Sequence, residues 1–167
     1  HFLVEDHKLD TKKERIPTRR LLTFRVGNER CALPLSLVES VVEYQQLEPL
    51  PGGGGQHLHG AVQIHGDIFP VADLRIQMNT SADNTHLTSY VVAGQDNSRW
   101  ALVVDQVDRV IEVPEKDIED ANSQEQQYIE AIARINDGLI SVMNLKSLTM
   151  EGDVVQAASE NTVECVG

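Results

Sequence analysis

The sequence predicts an all-β protein built as two similar small barrels, and three observations carry that reading. Apolar residues fall in short runs closed by Gly, Asn, Asp and Pro; segments of the second half repeat segments of the first; and helix signals are confined to short stretches after Asp73 and Asn144. The stretch from His57 to Met78 contains the whole unit in one run. Val62 and Ile64 share one strand face, Gly66-Asp67 supplies a turn, and Ile68 to Ala72 returns as a strand expected to be buried on both faces. Asp73 then stands as an N-cap, because its carboxylate can accept from the free amides of a first helical turn, so Leu74 to Met78 begins a short helix.

A second copy of this unit lies 71 residues on, where Ile135-Asn-Asp-Gly-Leu-Ile-Ser-Val-Met-Asn144-Leu-Lys146 repeats the order isoleucine, turn, apolar strand, capping residue, leucine, base. A second pair of segments is offset by 69: Arg30 to Glu43 against Arg99 to Glu112, with Arg, Ala, Leu, Val, Val and Glu identical in place. Offsets this close need only a small change in loop length, so an internal duplication is the reading.

In chain order, His1 to Arg20 is charged and aperiodic with Pro17 inside it, and reads as a linker or arm. Strands follow at Leu21 to Val26 and, after a Gly27-Asn28 turn, Cys31 to Leu35. Ser36-Leu-Val-Glu39 matches a capping box and predicts one helical turn before a strand over Val41 to Tyr44. The second half repeats this with Tyr90 to Ala93, a turn at Gly94 to Asn97, Trp100 to Val104, a turn at Asp105 to Asp108, and Val110 to Val113. Pro114-Glu-Lys-Asp-Ile predicts a short turn after its strand. The expected organisation is an arm over 1–20, a β body over 21–150 in two units of roughly 21–80 and 88–150 joined by the polar Asn79 to Asn84, and a polar tail over 151–167.

The 167 residues suffice for one domain or two small ones, and 41% hydrophobic residues can fill a core. A net charge of −12 opposes general affinity for nucleic acid or an anionic membrane surface, since both recruit proteins through Lys and Arg. The acidity lies in the body: the first 20 residues hold six bases against four acids, and the rest hold eight against 22. Cys31 and Cys165 make no disulfide framework, and Cys31 reads as a small core residue. No run of 18 apolar residues and no signal-peptide pattern occurs, so a cytoplasmic location without membrane insertion is expected. The first residue is not Met, which leaves a fragment of a longer protein and a trimmed chain as alternatives.

Several residues invite chemistry. His57 and His59 alternate on one strand face, and with His65 across the hairpin they would make a metal set, the basis of a competing reading as a metal-dependent enzyme. The set has no nearby Cys and stands beside a turn, so partly exposed histidines with no metal and no cofactor are the expectation. Gly52 to Gly55 lacks the Lys-Ser/Thr and helix of a phosphate loop, and no Ser, His and acid stand in a nucleophile context, so no catalytic residues are assigned. The acids Asp105, Asp108, Glu112, Glu115, Asp117 and Glu119 do not follow a calcium-loop spacing and read as a solvated face. Trp100, the single tryptophan, stands where the first unit has Cys31. It is either a core filler or an interface anchor, and an exposed anchor of this size would contribute about 2 kcal/mol or more to binding.

Three blocks make this pattern resemble the CheW-like domain, the adaptor fold of bacterial chemotaxis: Leu-Thr-Phe-Arg-Val-Gly with Cys-Ala-Leu-Pro-Leu; His-Gly-Ala-Val-Gln-Ile-His-Gly-Asp-Ile-Phe-Pro-Val-Ala-Asp-Leu-Arg; and Ala-Leu-Val-Val-Asp-Gln-Val-Asp-Arg-Val. The resemblance runs from about Leu21 to Leu148, and its hallmark spacing joins Gly60, Gly66, Asp73 and Arg75. It implies two five-stranded SH3-like barrels packed side by side, with no catalysis. It also implies partners: a CheA-type histidine kinase against one barrel, and methyl-accepting chemoreceptor tips in a groove between barrels. By that resemblance Val41, Leu47, Leu50 and His59 face the kinase, and Val38, Val104 and Val107 lie near the receptor groove, where the anchor reading also puts Trp100. The sequence departs from the pattern at His59 before the first glycine, at Gln63-Ile64-His65-Gly66 in place of Asn-Leu-Arg-Gly, and at Ser40, where the family often has an acid. These departures fit a variant resembling the array-docking domain of ParP-like polar-localisation proteins, which would add a polar-localisation ATPase as partner and the cell-pole arrays as location.

Overall fold

Turn chemistry and alternation place the strands, and the computed structural model describes residues 16–45, 60–121 and 127–149. The first group is β1 (Thr18–Val26), β2 (Glu29–Pro34), a 3-10 turn (Leu35–Leu37) and β3 (Val38–Glu43). The second is β4 (Ala61–Ile64), β5 (Asp67–Asp73) and the helix α1 (Leu74–Gln77). Then come β6 (Ser89–Gln95), β7 (Ser98–Val104), β8 (Gln106–Pro114), a 3-10 turn (Glu115–Asp117) and β9 (Ile118–Asp120), followed by β10 (Ile129–Ile135), β11 (Gly138–Met143) and α2 (Leu145–Thr149).

Several boundaries differ from the sequence reading for local reasons. β1 starts at Thr18, inside the expected arm, because Thr18 to Arg20 pair with Pro114 to Glu112 of β8. The β4–β5 turn is His65-Gly66, between the paired Ile64 and Asp67; both turn residues have positive φ, 51° and 88°, as a twist-matched two-residue hairpin needs. Asp67 is therefore the first residue of β5. Asp96-Asn97 make the matching tight turn between Gln95 and Ser98, with φ of 53° and 68°. The expected helical turn at Ser36 is a 3-10 turn over Leu35–Leu37 without a side-chain cap bond. β5 is not buried throughout: Ile68 is 71% exposed, because it stands beside the hairpin tip and faces outward with its neighbour Gln63.

The strands form two curled sheets, in the orders β8-β1-β2-β11-β10-β9 and β3-β6-β7-β5-β4. The orders superpose once β9 is set aside, and the duplication is visible in the pairings. β1·β2 matches β6·β7, β10·β11 matches β4·β5, and the parallel pair β11·β2 matches β5·β7. Even the irregularities correspond: β1·β8 shifts register between Leu22 and Phe24, and β3·β6 between Val38 and Ser40. Yet neither sheet is made from one half of the chain. The first hairpin, β1–β2, joins the late strands β8 to β11, while β3, β4 and β5 join β6 and β7. The division at residues 80–88 thus falls inside the five-stranded sheet. The six-stranded sheet owes its extra strand to Ile118–Asp120, which pairs with β10 after the 3-10 turn.

Side chains sort by alternation into three apolar clusters. Val62, Ile64, Phe69, Val71, Tyr90, Val92, Ala101 and Val103 fill the five-stranded unit. Leu21, Ala32, Val113, Ala131, Ala133, Ile140 and Val142 fill the six-stranded one. The largest cluster lies between the sheets: Leu22, Phe24 and Val26 from β1 meet Val91, Ala93, Trp100, Leu102 and Val104 from β6 and β7, capped by Leu74, Leu145 and Leu148. β1, β2, β6 and β7 are therefore buried on both faces, which is why they read as near-continuous apolar runs. Among the described residues no helix is long and apolar enough to cross a membrane.

Candidate docking faces and the seam between the sheets

Asp73 caps α1 as its sequence position predicts, accepting from the Arg75 backbone amide at 3.0 Å. The same carboxylate takes the Arg75 side chain as a fork, with Nε on Oδ1 at 2.9 Å and Nη2 on Oδ2 at 2.8 Å. The guanidinium is 2% exposed, and its Nη1 lies 3.7 Å from Asp105 and donates to the Asp83 carbonyl at 3.3 Å. Hydrogen bonding to Asp73 holds its pKa above the ordinary arginine value. Asp105 in turn accepts from the Gly27 amide at 2.7 Å, and its own amide donates to the Arg25 carbonyl at 3.0 Å. Arg75 therefore ties α1, in the five-stranded unit, to the β1–β2 turn of the other sheet. Nearby, Gln77 Nε2 donates to the Leu148 carbonyl at 2.8 Å, linking the two helices. A cleft of about 670 Å³ opens along this seam, lined by Asn28, Gln77, Met78, Thr80, Tyr128 and Met143.

The exposed aliphatics repeat with the duplication. Val41 on β3 and Val110 on β8 are equivalent by the 69-residue offset, and Ile68 on β5 and Leu139 on β11 by the 71-residue offset; all four are exposed. Two arginines identical between the copies stand at the hairpin tips. Arg99 lies 3.6 Å from Asp67 at the β4–β5 tip, and Arg30 lies 3.5 Å from Asp137 at the β10–β11 tip. Each unit thus carries two exposed aliphatics, on different strands, and an arginine at its hairpin tip.

The sequence-selected residues separate accordingly. Val41 is exposed, Val38 and Val107 are half-buried against the inter-sheet cluster, and Ser40 is half-buried on β3. Val104 is fully buried and Trp100 is 8% exposed, both within that cluster, so the indole is a core filler and lacks the free area an anchor needs. Its position on a strand flanked by a second sheet is the reason, and an isolated strand sequence does not reveal that second sheet. None of Val38, Val104 and Val107 lines the large cleft. His65 is exposed at its turn, Gly66 follows it at positive φ, and buried Gly60 has φ of 120° while its carbonyl accepts from Val71 at 3.0 Å. Leu47, Leu50, His57 and His59 lie outside the described residues, so the three-histidine set does too. Among the described residues no group of three His, Cys, Asp or Glu side chains could hold a metal. Sequence reading missed Ile68, Val110, Leu139 and Arg99 as surface residues, and Asp105, read as part of a solvated face, is half-buried at the seam between Gly27 and Arg75. The offsets were the available signal, since they carry Val41 to Val110 and Ile68 to Leu139.

The family model for the CheW-like domain matches residues 20–151, which spans both sheets and the seam. The chain belongs to the CheW-like domain family. Among the CheW-like relatives, the chemotaxis protein CheW of Treponema pallidum is 20% identical over 149 residues, covering 84% of this chain and 87% of that protein. CheW of Rhizobium meliloti is 23% identical over 135 residues, covering 78% and 86%. CheW of Bacillus subtilis is 24% identical over 134 residues, covering 77% and 85%. The scaffolding protein TtCheW from Thermoanaerobacter tengcongensis superposes with a TM-score of 0.73 at 22% identity, covering 80% of this chain and 94% of that one, so the CheW-like fold is shared.

Proposed function

We propose that this chain is a chemotaxis scaffold that couples a CheA-type histidine kinase to chemoreceptor tips by surface contacts alone, with no reaction of its own. The observation that carries the reading is the CheW-like match across residues 20–151, which covers both curled sheets together. Coverage of 85% to 87% of three chemotaxis CheW proteins supports the adaptor role. Val41 is the kinase-facing candidate that the described surface makes accessible, and Val38 and Val107 are the receptor-groove candidates with part of their side chains outside the core. The cytoplasm is the compartment this role requires. The polar-localisation variant and its ATPase find no support in the relatives named above.

The test is titration of the full chain, by calorimetry, with the purified regulatory domain of a CheA-type kinase and, separately, with a soluble chemoreceptor tip fragment. Saturable binding to both is expected. Val41→Glu should weaken the kinase arm by about tenfold or more while leaving the receptor arm intact, since a buried unpaired carboxylate opposes docking. Failure to bind either partner would defeat the proposal.

A further inference from the structure

Arg99 makes contacts that the adaptor reading leaves unused. Its Nε and Nη2 form a fork on Glu39 at 2.7 and 2.8 Å, and Nη2 also lies 3.6 Å from Asp67. The guanidinium carbon stands 4.8 Å from the centre of the Phe69 ring, a cation–π distance. Arg99 sits on β7, Glu39 on β3 and Asp67 on β5, and β6 lies between β7 and β3 in the sheet. The crossing is open because Gly94, the β6 partner of Arg99, has no side chain: a Cβ there would stand 3.0 Å from Arg99 Cγ. One side chain therefore fastens the strand of Val41 to the hairpin tip of Ile68. The Arg99 contact holds the Glu39 carboxyl below its ordinary pKa.

Resting on the adaptor reading above, we propose that Arg99 is the positioning residue that holds the β3 strand of Val41 to the β4–β5 hairpin tip, and that the exposed side of β3 at Val41 takes a protein surface with an aliphatic centre and a basic rim. The rim chemistry follows from the flanking acids: Glu39 and Glu43 alternate with Val41 on the outward side of β3. An exposed ion pair contributes little to folding. Its effect here is orientation: the β3 strand, tied to the hairpin tip, loses less freedom when a partner arrives.

The experiment measures hydrogen exchange in the free full chain and affinity for the regulatory domain of a CheA-type kinase, for wild type, Arg99→Ala, Arg99→Lys and the exchanged pair Glu39→Arg/Arg99→Glu. Arg99→Ala should keep the wild-type denaturation midpoint, speed exchange over Asp67 to Phe69 by about fivefold or more, and weaken binding by about tenfold. Lysine keeps the charge and loses the fork, so it should fall between the two. The exchanged pair should return the hairpin to slow exchange. Unchanged exchange in Arg99→Ala overturns the proposal whatever the partner does. Faster exchange with unchanged affinity overturns the docking role and leaves a purely structural contact. Failure of wild type to bind counts against the adaptor reading instead, and the exchange measurement still decides the clamp.

Discussion

Arg75 has a side chain 2% exposed and two carboxylates within reach, so its charge is tolerable only while they remain. Replacing it by Met keeps much of the volume but takes the guanidinium fork from the Asp73 carboxylate, itself 8% exposed. Removal of one member of a buried pair costs about 3 to 5 kcal/mol, and urea denaturation of Arg75→Met should register a loss in that range; a loss below about 1 kcal/mol would mean that water replaces the guanidinium. A second residue gives a pH test. Burial, with the Glu29 carboxylate nearby, pushes the Cys31 thiol up to about 12. The unfolded thiol ionises at about 8.5, so the unfolded chain loses its proton first. This contribution to stability is complete below that value and is lost as pH rises toward 12. In a Cys165→Ser background, Cys31 should resist a thiol reagent at pH 8 until denaturant is added; rapid labelling of the native chain would contradict the burial. The cap at Asp73 was legible because capping is local, whereas Asp105 stands 30 residues from Arg75 and nothing in the spacing announces their meeting.

At the scale of elements, two glycines at the hairpin turns separate strain from crowding. Gly27 has φ of 63°, and a Cβ on it would stand 2.7 Å from Thr80 Cγ2; Gly66 has φ of 88° and nothing within 4 Å of its Cβ position. Gly66→Ala should therefore cost only the backbone term, about 1 to 2 kcal/mol. Gly27→Ala should cost more, because it also pushes Thr80 away from the Arg75 carbonyl that its amide holds at 2.8 Å. Thermal denaturation of both variants, with Thr80→Ser added to Gly27→Ala, tests this: the serine should recover part of the loss. Equal losses at the two glycines would remove the crowding argument. Strands, turns and both helix starts were legible because alternation, turn residues and caps act within a few residues. The 3-10 turn at Leu35–Leu37 was not, since the Ser36 pattern fits a capping box whether or not the hydroxyl makes the bond.

The duplication was legible in the whole chain, but the partner each copy would choose was not, because equivalent strands offer equivalent edges. In the structure the halves exchange. β1 and β2 pair with β8 and β11, β3 pairs with β6, and β5 with β7, so each sheet crosses the division at 80–88. Seven of the 15 buried residues of the inter-sheet cluster come before that division and eight after it. Both unit interiors also draw on both halves, as Leu21 and Ala32 in one and Tyr90 and Ala101 in the other illustrate. An isolated first half retains only the hairpins β1·β2 and β4·β5 from its native pairings, and isolated hairpins are marginal in water. It could re-pair its own strands into one unexchanged unit, yet that unit would expose Leu22, Phe24, Val26, Leu33 and Leu74 to solvent. Residues 1–84 and 85–167 made as separate chains should therefore show neither dispersed amide spectra nor a cooperative melt, and should recover both when mixed in equal amounts. A first half that folds alone as a monomer with a cooperative transition would place the two units in series along the chain and reject the exchanged core as the source of stability.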